Sequence, residues 1–396
     1  MATTAFVLDE EQQRFCAQVR EQAVERLLPL AHQDDPALGE RVNRPLLEEM
    51  GRLGLLARLF PGGGRSAAAL DLCLLRESLA QVSTEAETAL ALQGLGFYPV
   101  VQSGSEAQLA RWLPEVASGR AVAAFALSEP GAGSDAAALA LEAKPDGAAG
   151  TDGGWRLSGE KCWISNAPEA DLYTVFARTG PEAGARGVTA FLVPADRPGL
   201  TGEPLDMISP HPIGRLRFDG VPVGPADLLG EVGGGFRVAM RTLDLFRPSV
   251  GAFAVGMAQA ALDAAVAHAA AREAFGGPLR DLQSVGHRLA EMATRTEAAR
   301  LLVYAAAAAY DANGGTGGGA SRSGGLHGPT GRAAMAKLFA TEAAQYVVDS
   351  AVQLHGARAL RRGHLLERLY REVRAPRIYE GASEVQLSII ARELYR

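Results

Sequence analysis

Three short segments hold the side chains best suited to chemistry. Ile378 to Gln386, IYEGASEVQ, places Glu380 in a turn just before a helix. Ser383 with Gln386 three residues on predicts a capping-box start, and Val385, Ile389 and Ile390 supply the apolar stripe. A carboxylate in such a turn is either a solvated surface group or, in an apolar pocket, a base of raised pKa. Gly159 to Ala167, GEKCWISNA, alternates Trp163 and Ser165 onto one face of a strand with Ile164 on the other. An aromatic beside a hydroxyl could cover a flavin ring and hydrogen-bond its nitrogen; the plain alternative is a Trp in a core. Phe125 to Asp135, FALSEPGAGSD, runs an apolar strand into a Ser-Glu-Pro turn and a Gly-Ala-Gly-Ser loop. Small residues there admit close backbone approach to a flat or phosphorylated ligand, although the spacing matches neither a Walker nor a Rossmann fingerprint. Asp244 and Arg247, three apart in a helical pattern, share a face.

The elements that must position these groups fall into three stretches. From about Leu8 to Gly119 apolar residues recur at helical spacing, as in Leu46, Leu47, Met50 and Leu53, with a break at Pro61 to Gly64. From Ala121 to about Leu229 short runs such as AVAAFALS, WRLSGEKCWIS, LYTVFAR and GVTAFLV alternate with Gly, Pro and Asp clusters, which predicts an antiparallel sheet or barrel. Beyond EVGGGF the pattern predicts long helices at Phe253 to Phe275, Leu282 to Tyr310, Ala333 to Leu354 and Ser383 to Leu394, enough for a bundle. Asn313 to Arg332, with nine glycines in twenty residues, predicts a mobile loop.

Bulk properties narrow the function classes. The chain has 396 residues, 47% hydrophobic and 21% charged, which suits a folded protein of enzyme size. A formal charge of −6 argues against nucleic acid as a partner. Cys16, Cys73 and Cys162 are too few and too far apart for a disulfide framework or a metal site, and the histidines show no ligand spacing, so no metal is expected. The opening MATTAFVLDEEQQ turns acidic where a secretory leader needs an apolar run, and no run reaches the ~18 apolar residues of a membrane span. A cytoplasmic location is the expectation.

Taken in order, FALSEPGAGSD, GEKCWISNA, REAFGGPL with Gln283 eleven residues after Arg272, QLHG, RIYEGASEVQ and IIAR resemble the acyl-CoA dehydrogenase family. The resemblance covers most of the chain and is densest from about Ala121 to Arg392. It implies a multi-domain α+β protein: an N-terminal α-helical domain over 1–120, a central antiparallel β-barrel over 121–235 and a C-terminal four-helix bundle over 236–396. It also implies FAD as cofactor. The implied oligomer is a homotetramer, a dimer of dimers in which each FAD is completed by the neighbouring subunit.

Residue roles carry over from the same resemblance. Phe125, Leu127, Ser128, Gly133 and Ser134 would line the flavin ring and pyrophosphate, and Trp163, Ile164 and Ser165 would cover the ring and bond its N5 edge. Serine at 128 and 165 replaces the usual threonine and keeps the hydroxyl. Arg272, Phe275 and Gln283, then Gln353, Leu354 and Gly356, fall at positions that hold the adenine-dinucleotide end across the dimer, where a guanidinium fork suits a phosphate. Ala382, Ser383 and Glu384 fall at further cofactor positions, Ala382 in place of a threonine. Ser134, Asp244, Arg247 and Gly381 fall at substrate positions, with Asp244 at the pantetheine arm and Arg247 near the thioester.

Glu380 is thereby implied as the base that takes the α-proton while the β-hydrogen leaves as hydride to flavin N5, giving a trans-2-enoyl-CoA. Its backbone N–H and a ribityl hydroxyl would polarise the thioester carbonyl. Phe246 stands where some branched-chain and long-chain members carry their catalytic glutamate. The implied partners are an acyl-CoA substrate and an electron-transfer flavoprotein as acceptor. An acyl-CoA oxidase, an acyl-carrier-protein dehydrogenase, a flavin monooxygenase and a non-catalytic scaffold are the alternatives on the same fold. Gln93, Phe97 and Tyr98 are candidates for the end of the acyl pocket.

Overall fold

The computed structural model describes residues 8–31, 41–60, 68–146, 153–180, 184–209, 211–313 and 326–395. The break expected at Pro61 to Gly64 and most of the glycine-rich stretch after Asn313 lie outside the described residues. In chain order the helices are α1 (Glu10–Gln22), α2 (Arg44–Arg52), α3 (Ala69–Ala80), α4 (Thr84–Ser103), α5 (Glu106–Ala117), α6 (Gly235–Ala271), α7 (Gln283–Ala312), α8 (Pro329–His355), α9 (Leu365–Glu372) and α10 (Ser383–Glu393). The strands are β1 (Ala123–Ala126), β2 (Glu142–Asp146), β3 (Gly154–Ser165), β4 (Leu172–Arg178), β5 (Val188–Pro194), β6 (Leu200–Pro204), β7 (Ile213–Val223), β8 (Glu273–Ala274) and β9 (Gly277–Pro278). They pack as two compact units, one of Met1–Asp34, Ala68–Glu87 and Asp244–Arg396, the other of Asp35–Ala67 and Thr88–Leu243. The helices of the first 120 residues are thus shared between both units.

The first unit is helical. Alanine-rich α6, α7 and α8 bury small side chains such as Ala254, Ala307 and Ala340, which favours close helix approach. At Gly256 a Cβ would collide with the Glu77 carbonyl oxygen and Ala80 of α3, so only glycine permits that crossing. Glu77 is buried and charged, and it is satisfied: Arg300 Nε donates to Oε1 at 2.8 Å and Tyr304 O–H to Oε2 at 2.8 Å, tying α3 to α7.

The helix expected from Phe253 to Phe275 differs at both ends. It begins at Gly235, continues through Pro248 and stops at Ala271. Pro248 has no N–H to give the Asp244 carbonyl, a local defect that a long packed helix tolerates. The chain then reverses through the β8–β9 hairpin, with Phe275 and Gly276 at φ 55° and 90°, a turn the helical periodicity did not disclose. By length and composition α6 could cross a membrane, and 72% of its most apolar window is buried inside the protein.

The second unit is built on a seven-stranded sheet of order β1-β4-β2-β3-β7-β6, with β5 on β4. Pairing is antiparallel at β2–β3, β3–β7, β6–β7 and β4–β5, and parallel at β1–β4 and, over one residue pair, at β2–β4. The β1–β4 pair is possible because the 45 residues from Leu127 to Asp171 supply the long crossover that parallel strands require. The expected antiparallel middle domain is met as a curled, mostly antiparallel sheet in which β1 and β2 run parallel to β4. β4 and β5 are buried on both faces over most of their length, as their unbroken apolar runs require.

Gln93 of α4 is fully buried against the start of this sheet. Its amide donates to Ala121 O at 2.8 Å and accepts from Ala123 N–H at 2.7 Å. The residue expected among candidates for a pocket end is instead engaged with β1.

Candidate active site

In the helical unit, Glu380 and Gly381 have consecutive positive φ values of 51° and 92° between a 3-10 turn at Ala375–Arg377 and α10. A non-glycine residue rarely adopts that conformation without surrounding restraint. The restraint acts on the carbonyls. Lys337 Nζ of α8 donates to Gly381 O at 2.7 Å, and Gln386 Nε2 donates to Gly381 O at 2.9 Å and to Glu380 O at 3.4 Å. A Cβ at Gly381 would strike the Gln386 amide. Among the described residues neither the Glu380 N–H nor its buried carboxylate oxygen Oε2 has a protein partner. The turn holds its carbonyls and leaves the groups that could meet a substrate free.

The expected capping box at Ser383 does not form. Ala382 is the N-cap and has no side chain to cap with, so Ser383 falls one position inside α10 and donates to Glu342 Oε1 at 2.7 Å. Gln386 turns back to the carbonyls of the turn. Arg377 also bonds Glu342, at 2.9 Å, so one carboxylate on α8 pins both flanks of the Glu380 turn.

Three buried cations surround this carboxylate without bonding it. Arg76 Nε pairs closely with Glu87 while its Nη1 donates to Ser249 Oγ at 2.6 Å. Arg247 Nη1 donates to Asp244 Oδ1 at 2.9 Å, and its buried Nε has no partner. Burial raises the Glu380 pKa above its ordinary 4.5 even though Arg76, Lys337 and Arg247 each oppose the shift. Burial likewise raises Asp244, against Arg247, and lowers Lys337 to about 8, against Glu380. Asp244 and Arg247 thus form the salt bridge that their spacing allowed, and Phe246 between them is buried.

In the β unit, Trp163 has φ 62° at a bulge between Lys161 and Ile164 in the pairing with β7. Trp163 is 53% exposed while Cys162 and Ile164 are buried, which removes the reading of a core Trp. Ser165 shares a 3.1 Å hydrogen bond with His211, whose pKa burial lowers to about 4. Lys161 is fully buried and joins this strand to the preceding loop: Nζ donates to Leu127 O at 2.9 Å and to Glu129 Oε1 at 2.7 Å. Cys162 N–H adds a bond to Ser128 O at 3.0 Å. Phe125 packs on Phe176 with ring centroids 4.9 Å apart, Leu127 is buried, Ser128 half-buried, and Gly133 and Ser134 are exposed.

The remaining positions singled out in the sequence lie on the helical unit's surface. Arg272, Gln283, Gln353 and Gly356 are exposed, Leu354 is half-buried, and Phe275 is 93% exposed at the tip of the hairpin. Glu384 lies in the first turn of α10. His268 stacks on His355 at 4.1 Å near Arg272 and Arg358, a cluster that no local pattern announced. Cys16, Cys73 and Cys162 are free and buried, and no metal-binding group of His, Cys, Asp or Glu occurs among the described residues.

The helical unit thus carries a partly caged carboxylate, and the sheet displays an exposed aromatic beside a half-buried hydroxyl. Acyl-CoA dehydrogenase N-terminal, middle and C-terminal domain models match residues 9–120, 124–221 and 233–395. Cyclohexane-1-carbonyl-CoA dehydrogenase of Geobacter metallireducens is 35% identical over 99% of both chains. The mitochondrial short-chain specific acyl-CoA dehydrogenase of Bos taurus is 38% identical, over 98% of this chain and 91% of its own. The structure of butyryl-CoA dehydrogenase from Megasphaera elsdenii superposes with a TM-score of 0.88 at 33% identity, covering 99% of this chain and 100% of that one. A chain from a structural study of the electron transferring flavoprotein of Acidaminococcus fermentans gives 0.88 at 34%, with 99% and 100% covered. The chain belongs to the acyl-CoA dehydrogenase family and is an FAD-dependent enzyme of that kind.

The residues present fit FAD. Trp163 and Phe275 are aromatic side chains held at positive φ and left uncovered by their own units, an arrangement that costs conformational energy and suits a planar ligand. Sequence reasoning missed Arg76, Lys161, His211 and Lys337. Lys161 lay inside a quoted motif, so only its buried environment was hidden; the others had no local signal.

Proposed function

We propose that this enzyme removes the α-proton of an acyl-CoA thioester with Glu380, yielding a trans-2-enoyl-CoA. The observation that carries the reading is the Glu380 residue itself, whose amide N–H and buried carboxylate oxygen are both free while the turn's carbonyls are bonded. The free N–H is suited to the thioester carbonyl oxygen, where negative charge grows as the α-proton leaves. Burial raises the carboxylate's proton affinity toward that of its carbon acid, and the three cations keep it ionised enough to act. The chemistry supplied by bound FAD is acceptance of the hydride equivalent from the β-carbon. Trp163 and Ser165 in the β unit, with Phe125, Leu127, Ser128, Gly133 and Ser134, would hold the flavin; Arg272, Phe275, Gln283, Gln353, Leu354 and Gly356 would hold its dinucleotide end.

Asp244 and Arg247 would orient the substrate. The acyl groups in the relatives' names make short and compact cyclic acyl-CoA esters the first candidates. Exposed apolar side chains on the helical unit, among them Leu301, Leu302, Leu387 and Leu394, support self-association, for which a dimer of dimers is the proposed form; the proposed location is the cytoplasm. An electron-transfer flavoprotein is the proposed acceptor. The test is Glu380→Gln in an anaerobic stopped-flow assay with a panel of acyl-CoA esters. FAD and substrate binding should persist while flavin reduction slows by at least ~10²–10⁴-fold. Near-wild-type reduction would end the assignment, and peroxide release in air without another acceptor would move the reading to an oxidase.

A further inference from the structure

We infer that Lys337 is a positioning residue for the proposed base: its ammonium fixes the Glu380 turn through the Gly381 carbonyl and supplies a field that keeps the Glu380 carboxylate charged. The inference rests on Glu380 being the base.

Lys337 is fully buried on α8, and burying an ammonium is costly unless its donors and its charge are both answered. Here the answer is partial. Of three possible N–H donors, one is used, toward Gly381 O at 2.7 Å, and among the described residues Nζ has no bonded carboxylate. A neutral amide would hold one carbonyl at lower cost, and Gln386 already does so from α10. What a neutral group could not supply is charge. The groups that face Lys337 are Glu380 in the turn, Arg247 on α6, Glu342 on α8 itself and Glu384 on α10. Glu342 is already bonded to Arg377 and Ser383, and Arg247 to Asp244. Glu380, faced also by Arg76 from α3 and by Arg247, is the largest opposing charge on Lys337 and the one left without a hydrogen bond at Oε2. The ammonium therefore acts on the carboxylate through space while touching only the next residue's carbonyl. That leaves the carboxylate oxygen free to receive a proton.

Three substitutions separate tether from charge. Lys337→Arg keeps both, Lys337→Gln keeps a donor without charge, and Lys337→Met keeps neither. Each is read by the pH dependence of flavin reduction in the FAD-loaded enzyme under single-turnover conditions, and by infrared titration of the carboxyl band assigned by difference against Glu380→Gln. Gln and Met are expected to move the ascending limb and the infrared midpoint to higher pH by about one unit. Reduction would then be about tenfold slower below the midpoint and would converge on wild type above it. Arginine is expected to restore the wild-type limb.

An unchanged limb and midpoint in Lys337→Gln, or an equal loss at every pH, would overturn the proposal. So would failure of both neutral variants to fold or hold FAD while Lys337→Arg does, because the lysine would then be an element of the fold. Failure of Glu380→Gln to slow reduction is a separate result, which removes the base assignment whatever Lys337 does.

Discussion

Two buried lysines in the two units make the same first contact and differ in the second. Lys161 donates to Leu127 O and also grips the Glu129 carboxylate, while Lys337 donates to Gly381 O and makes no bond to Glu380, the carboxylate whose charge acts on it most. Burial lowers both to about 8. The difference lies in what the anion is for. Glu129 accepts the Ala140 and Leu141 amides at 2.6 and 2.9 Å as well as Lys161, so it is a saturated structural acceptor that holds two loop segments against β3. Glu380 keeps an empty oxygen, which a structural ion pair would fill and a base requires.

The comparison breaks most visibly in stability. Lys161→Met leaves Glu129 charged and buried without its cation and should cost about 3–5 kcal/mol, whereas Lys337→Met, with one hydrogen bond lost, should cost about 1–2 kcal/mol. Urea unfolding of the holoenzyme decides it; a larger loss at Lys337 would invert the assignment of the two devices. The Arg76–Glu87 pair should follow the pattern of Lys161. Arg76→Met alone is expected to cost about 3 kcal/mol, while the double variant Arg76→Met with Glu87→Leu should recover most of it. A double variant no more stable than the single one would show that the two side chains are not coupled.

The Glu380 carboxylate itself sharpens the contrast through pH. Its folded pKa lies above the unfolded value of 4.5, so the native state keeps a proton that the unfolded chain has lost in the window just above that pH. Stability therefore falls as pH rises through the window, and Glu380→Gln is exempt. The variant should melt above wild type at pH 7, with the gap closing near ~pH 4. Calorimetry that shows no gap at pH 7, or one that widens toward acid, would contradict the buried, unsatisfied carboxylate. The smallest effect concerns the uncapped helix beneath it. Ala382→Ser should add about 0.5–1 kcal/mol by giving α10 the N-cap acceptor it lacks, measured in the same unfolding assay.

The local signals in the chain were enough for the three stretches of element type and for placing Glu380 before a helix and Trp163 and Ser165 on a strand; the roles given to them came from the order of the motifs. Each local signal depends on near neighbours: an apolar stripe behind a turn, or alternation along a strand. What stayed hidden depends on groups far apart in sequence. Glu129 meets Lys161 from another loop, Lys337 reaches Gly381 from α8, and Arg76 finds Glu87 and Ser249 across helices. The capping box failed for a related reason. Gln386 had a competing use in the carbonyls of the turn, and with Ala382 as N-cap nothing held it to the local motif. Parallel pairing of β1 with β4 was likewise invisible, since a strand's own residues do not name its neighbour.

The Arg76–Glu87 pair also bears on how this protein can change over generations. Either single replacement takes the opposite charge from a buried ionised side chain, so the first step away from the pair is penalised even where the second would be harmless. Lineages descending from this chain should keep both residues or neither, and a homologue carrying one without the other should show a compensating change nearby.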